Sequence, residues 1–88
     1  MANQEEIDKV WEKGKPIKGK NPKHRKDSYG NEIYKPSYGK STDKGWEIDH
    51  KKPINKGGSN SMKNKQPLQT SENKKKSDTY PYRKSNNH

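Results

Sequence analysis

Asp49 and His50 stand side by side at the end of Gly45-Trp46-Glu47-Ile48-Asp49-His50, and Asn73 heads an Asn-Lys-Lys-Lys run further along the chain. Those residue types suit phosphodiester hydrolysis, which needs an activated water in line with the leaving oxygen and a cation to neutralise the developing charge. A carboxylate or an amide oxygen is a hard ligand for Mg²⁺ or Mn²⁺, and a neutral imidazole can take the proton from water. An isolated Asp-His pair is more commonly a turn carboxylate beside a surface imidazole. The elements around the pair therefore decide between the two.

From Gly45 to Ile54 the chain alternates Trp46, Ile48 and His50 on one face with Glu47, Asp49 and Lys51 on the other, the period of a strand. Trp46 and Ile48 are core candidates. A loop, Asn55-Lys56-Gly57-Gly58-Ser59-Asn60-Ser61, follows; then an extended piece over 66–70 and, with Ser71 as N-cap, a polar helix over 72–77. Upstream, Ile7, Val10 and Trp11 fall at i, i+3 and i+4, and Asn3 precedes Glu6 with capping-box spacing, which predicts a helix over 4–13 ended by Gly14 and Pro16. Residues 13–26 read as a basic loop broken by Gly and Pro, either a solvated segment or an arm that contacts phosphates. Tyr29 to Gly39 reads as a strand or hairpin with inward aromatics and Pro36 at an edge. Arg25 and Asp27 are placed to form an ion pair, and His24 reads as an exposed bystander.

The 88 residues give room for one domain, 1–88, with a core over about 10–78 and a fraying tail over 79–88 in which Tyr80 and Tyr82 can dock. Only 19% of residues are hydrophobic and 36% are charged, so the core is thin, and a disordered chain that folds on a partner is a competing reading. A net charge of +10 makes nucleic acid the leading partner through counterion release. No basic amphipathic helix with a continuous apolar face argues for a membrane. The absence of Cys excludes disulfides and thiolate zinc sites, and a polar, acidic N-terminus lacks signal-peptide character, which together point to the cytoplasm.

The segment from Gly45 to Asp78 resembles the HNH endonuclease family, and Val10-Trp11-Glu12-Lys13-Gly14, Arg25-Lys26-Asp27 and Tyr38-Gly39 look like the flanks of its small free-standing bacterial and phage members. The resemblance implies an α+β, ββα-metal (His-Me finger) fold, here with a short N-terminal helix and an additional strand or hairpin. It implies Asp49 as a metal ligand, His50 as the catalytic general base, and Asn64 as the structural brace of the loop behind that base. The last position of the family name, usually His, is Asn73 here, an H-N-N variant; the HNH domains of RNA-guided CRISPR nucleases share Asn at that place. An amide oxygen favours one Mg²⁺ or Mn²⁺ over Zn²⁺ or Ni²⁺. Family position nominates Lys76 as a transition-state stabiliser or phosphate clamp, with a solvated helix face as the plain alternative, and Lys74, Lys75 and Arg25 join it as DNA-binding residues. Lys65 departs from the family's usual Leu and removes an apolar contact.

The expectation is thus a metal-dependent DNA endonuclease leaving 5′-phosphate and 3′-hydroxyl ends. The alternative is a non-catalytic basic module that binds nucleic acid on the same scaffold. Sequence is silent on a protein partner or dimer.

Overall fold

A computed structural model describes residues 2–83. Helix α1 spans Gln4–Trp11 rather than continuing to residue 13. Asn3 caps it, its Oδ1 accepting from Glu6 N at 2.8 Å, and Glu5 and Glu6 occupy the first turn, where the helix dipole favours acids. The apolar stripe faces inward: Val10 and Trp11 are buried and pack with Ile33 and Trp46, with Ile7, Tyr38, Ile48 and Met62 around them. Trp46 is the centre of this core. Its ring lies 5.1 Å from that of Trp11 and 5.0 Å from that of Tyr38, and its indole N–H donates to the Lys35 carbonyl at 3.1 Å. Ile48 is only partly buried.

The region expected as a basic loop contains two short strands, β1 (Lys15–Pro16) and β2 (His24–Lys26), which pair antiparallel and continue onto β3 (Glu32–Tyr34). Strands of two or three residues are too short to show a period, so they escape pattern reading. The hairpin from β2 to β3 turns on Asp27, which is 2% exposed. Its Oδ1 accepts from the backbone N–H of Tyr29 and Asn31 (both 2.9 Å), while Oδ2 accepts from Asn31 Nδ2 (3.1 Å) and from Gln69 N (3.0 Å). The Arg25–Asp27 ion pair does not form. Arg25 instead reaches back to the end of α1, where Nη1 donates to the carbonyls of Gly14 (2.9 Å) and Glu12 (3.2 Å). His24 is half-buried, stacked on Tyr34 at 4.8 Å and bonded to Glu32 at 3.1 Å. Pro36 lies in a 3₁₀ turn over Lys35–Ser37, not at a strand edge.

Glu32 also receives the ammonium groups of Lys20 and Lys44, each at 2.9 Å. The Lys20 hydrogen bond above all, with that of Lys44, holds its carboxyl down at about 2. A lowered folded value stabilises the domain above the ordinary carboxylate range and ceases to do so as pH falls toward 2. Acid titration followed by circular dichroism should therefore show Glu32→Gln losing less stability than the wild type between pH 4.5 and 2; parallel curves would remove Glu32 from the acid transition.

Strands β4 (Trp46–His50) and β5 (Lys65–Gln69) form a second antiparallel sheet that pairs Asp49 with Gln66 and His50 with Lys65. Pro67 is tolerated because a two-stranded sheet has only edge strands. Helix α2 follows at once, over Thr70–Lys76, two residues earlier than Ser71 as N-cap would place it. Ser71 donates to the Gln69 side chain instead, and the N-cap position is Gln69, with no side-chain cap bond. The fold is thus α+β: among the described residues there are two α-helices and two small antiparallel sheets, with a ββα unit built from β4, β5 and α2. Tyr82 docks as the sequence allows, donating to Glu72 and meeting Tyr29 edge-on at 5.4 Å. Tyr80 stays exposed, with the Lys52 ammonium 5.7 Å from its ring, and residues 84–88 of the expected tail, including His88, lie outside the described residues.

Candidate active site

The ββα unit brings Asp49 and His50, at the end of β4, against Asn73 and Lys76 of α2. All four line one cleft of about 250 Å³, whose mouth carries the exposed Ile54. Strand alternation puts Asp49 on the inner side, 6% exposed, where Gln66 Nε2 donates to Oδ2 at 2.9 Å. Ser28 Oγ donates in turn to Gln66 Oε1 at 2.9 Å, so the carboxylate is anchored through Gln66 to the three-stranded sheet.

Lys76 is the feature that sequence reading placed differently. A run of three lysines on a short polar helix looks solvated, and Lys74 and Lys75 are exposed; Lys76 is 1% exposed. Its ammonium donates to Asp49 Oδ1 at 3.2 Å and to the His50 carbonyl at 3.0 Å. A buried lysine needs such partners, since an unpaired charge there would cost several kcal/mol. Turned inward, Lys76 holds a carboxylate rather than lying open to a phosphate.

His50 lies on the other side of the strand end and borders a second cavity, of about 310 Å³, shared with Glu6, Tyr38 and Lys65. Its Nε2 is 2.8 Å from Asn60 Oδ1. An amide oxygen only accepts, so this contact puts the hydrogen on Nε2 and leaves the Nδ1 lone pair available to a proton. Sequence reading passed over Asn60, because nothing in a Gly-Ser-Asn loop marks one amide for a histidine ten residues back.

The loop between β4 and β5 is built to hold that geometry. Asn64 Oδ1 accepts from Lys52 N at 2.9 Å, and Nδ2 donates to the carbonyls of Lys52 (2.9 Å) and Ser59 (2.7 Å), which ties both arms of the loop together directly behind His50. Gly57 adopts φ 90°, and a Cβ on Gly58 would lie 1.8 Å from the Lys52 carbonyl oxygen. Both glycines are required by the path of the chain. Lys65, which departs from an apolar expectation, is buried and its ammonium pairs with Glu6 of α1. The lost apolar contact is thereby replaced by an ion pair between the first helix and the second sheet.

Among the described residues no group of three or more His, Cys, Asp and Glu gathers to hold a metal. The donor set in the cleft is carboxylate and amide. Asn73 Nδ2 donates to Glu47 Oε1 at 2.8 Å, which orients the amide and leaves its oxygen for another partner. Asp49 Oδ1 already faces a cation, the Lys76 ammonium. Two hard oxygens in one cleft fit a Mg²⁺-like ion better than a softer one. Arg25, by contrast, is engaged at the end of α1 with carbonyl oxygens on its guanidinium, and does not join the cleft.

A β-strand, a clamped loop, a second strand and a helix that converge a carboxylate, an imidazole and an amide define a ββα nuclease-type domain. A family model described as HNH endonuclease matches residues 27–82, more than half of the 88-residue chain. The chain belongs to the HNH endonuclease family. No curated protein and no solved structure matches it. Among the described residues no helix is long and apolar enough to cross a membrane.

Proposed function

We propose that the chain is a metal-dependent DNA endonuclease that hydrolyses phosphodiester bonds and leaves 5′-phosphate and 3′-hydroxyl ends. The observation that carries this reading is the shared cleft of Asp49, His50 and Asn73 in a member of the HNH family. His50, with Nε2 engaged by Asn60, accepts the proton of the attacking water at Nδ1. Asp49 and Asn73 would hold one divalent ion, Mg²⁺ or Mn²⁺ in preference to Zn²⁺ or Ni²⁺. Such an ion, when bound, neutralises charge at the scissile phosphate and the departing 3′ oxygen. Asn64 keeps the loop behind His50 in register, and Lys74 and Lys75, exposed on α2, lie where they can meet the DNA backbone.

The Lys76–Asp49 pair favours one rival: a basic DNA-binding module in which the ammonium permanently neutralises the carboxylate. Plasmid cleavage separates the two. Mg²⁺ or Mn²⁺ should convert supercoiled plasmid to nicked or linear product, Zn²⁺ and Ni²⁺ should support less, and EDTA none; Asp49→Ala should remove the metal-dependent cutting. Binding without cutting under every metal would hand the site to the rival.

A further inference from the structure

We infer that a separate, preformed hollow, distinct from the cleft and from the cavity beside His50, takes a backbone phosphate of the bound DNA. Its walls are Lys13, Lys15, Lys26 and Lys51, with Ser28 and Gln66 among the residues that complete it, around about 130 Å³. The inference rests on the nuclease reading for its ligand but not for its geometry.

Three observations support it. First, Lys15 and Lys26 face each other across β1 and β2, and like charges directly opposite destabilise a sheet. Glu32 stands opposite Lys26 on the other side, across β2 and β3, but its carboxylate is shared among Lys20, Lys44 and His24 and makes no ion pair with Lys26, while Glu6 is engaged with Lys65 and Asp49 with Lys76. None of the four lysines of the hollow makes an ion pair among the described residues. Second, Lys13 is held in place rather than left to wave in solvent, its ammonium donating to the carbonyls of Met62 and Lys65, the latter at 2.8 Å. Burial first, and then the charges of Lys51 and Lys65 nearby, push its ammonium below the ordinary lysine value. Third, the hollow is wired to the cleft. Gln66 lines it and donates to Asp49, and Ser28 lines it and donates to Gln66, so two hydrogen bonds lead from the hollow to the candidate metal ligand.

Four lysines around one concave space, with the stems of their side chains forming its walls and Ser28 and Gln66 beside them, suit a phosphate diester, and a duplex that presents its scissile bond to the cleft has further phosphates along the same strand. Filling the hollow cancels the Lys15–Lys26 repulsion. The DNA backbone thereby completes the three-stranded sheet's electrostatics.

Fluorescence anisotropy with a short duplex of mixed sequence, in EDTA and over a range of salt, tests the hollow without any cutting. The triple variant Lys15→Gln, Lys26→Gln, Lys51→Gln is set against Lys18→Gln, Lys23→Gln, Lys40→Gln, which removes the same charge from exposed sites outside the hollow. The hollow variant should bind about tenfold more weakly and lose about 1 from the slope of log affinity against log salt, the value of one phosphate contact, with a clearly smaller change in the control. Its melting temperature should not fall, since like-charge repulsion has been removed; Lys51→Gln alone, outside the β1–β2 pair, carries the comparison should it do so. Equal losses in the two triple variants, or an unchanged slope in the hollow variant, overturn the inference. A protein that cuts nothing yet shows the difference keeps the hollow and loses the nuclease reading, and one that cuts without the difference loses the hollow alone.

Discussion

His50→Ala should leave a protein that binds DNA with wild-type affinity and cuts it about 10²–10⁴-fold more slowly, the usual contribution of a positioned general base. The substitution is clean. His50 is half-exposed and its one side-chain bond, to Asn60, lies at the surface, so its loss leaves no buried polar group stranded. Cleavage rates on a labelled duplex, with anisotropy in parallel, read the two quantities separately. Wild-type cutting would remove His50 from the base role, while parallel loss of binding and cutting would point to a damaged fold. Asn60→Ala serves as the companion: it keeps the imidazole but frees its tautomer, and should lower the rate less than His50→Ala without affecting binding.

The largest effect on stability is expected far from the cleft. Asp27→Ala removes four hydrogen bonds at once from a buried carboxylate and strands the N–H groups of Tyr29, Asn31 and Gln69. Hydrogen bonds to a charged group contribute about 1.5–3 kcal/mol each, so a loss of about 3 kcal/mol or more is expected even after relaxation. For a small domain with a thin core that is a large part of the total. Asp27→Asn should also destabilise, because a second amide N–H would face Asn31 Nδ2 and Gln69 N where an oxygen now accepts. Urea unfolding measures both. A shift under about 0.5 kcal/mol for Asp27→Ala, the scale of a neutral surface change, would mean that the hairpin turn is not tied through this carboxylate.

Much of the site was readable because its residues are close in sequence or periodic. Trp46 to His50 alternates as a strand should, Gly57 and Gly58 announce a loop, and Asn3 with Glu6 marks a helix start that the structure places at the same residue. What stayed hidden depends on partners far along the chain. Asp27 meets Gln69 N across 42 positions, Lys65 meets Glu6 across 59, and Lys76 turns inward to a carboxylate 27 residues earlier. Asp in a turn and Lys on a helix are commonplace as letters, and only the tertiary fold reveals that these are buried. Arg25 illustrates the same limit in reverse: a cation in a basic stretch suggests DNA, yet its guanidinium holds the end of a helix.

The neighbours Asp49 and His50 share Lys76, which holds the carboxylate of one and the carbonyl of the other, but their remaining side-chain partners lie in different parts of the molecule. Gln66 and Ser28 link the first to a hairpin of the sheet, while Asn60 links the second to the connecting loop. In the proposed reaction, proton transfer and ion capture would therefore have partly separate adjusting screws. On that reading, a substitution at Asn60 should slow chemistry while DNA remains bound, and one at Ser28 or Gln66 should act first on the carboxylate and leave the imidazole contact in place.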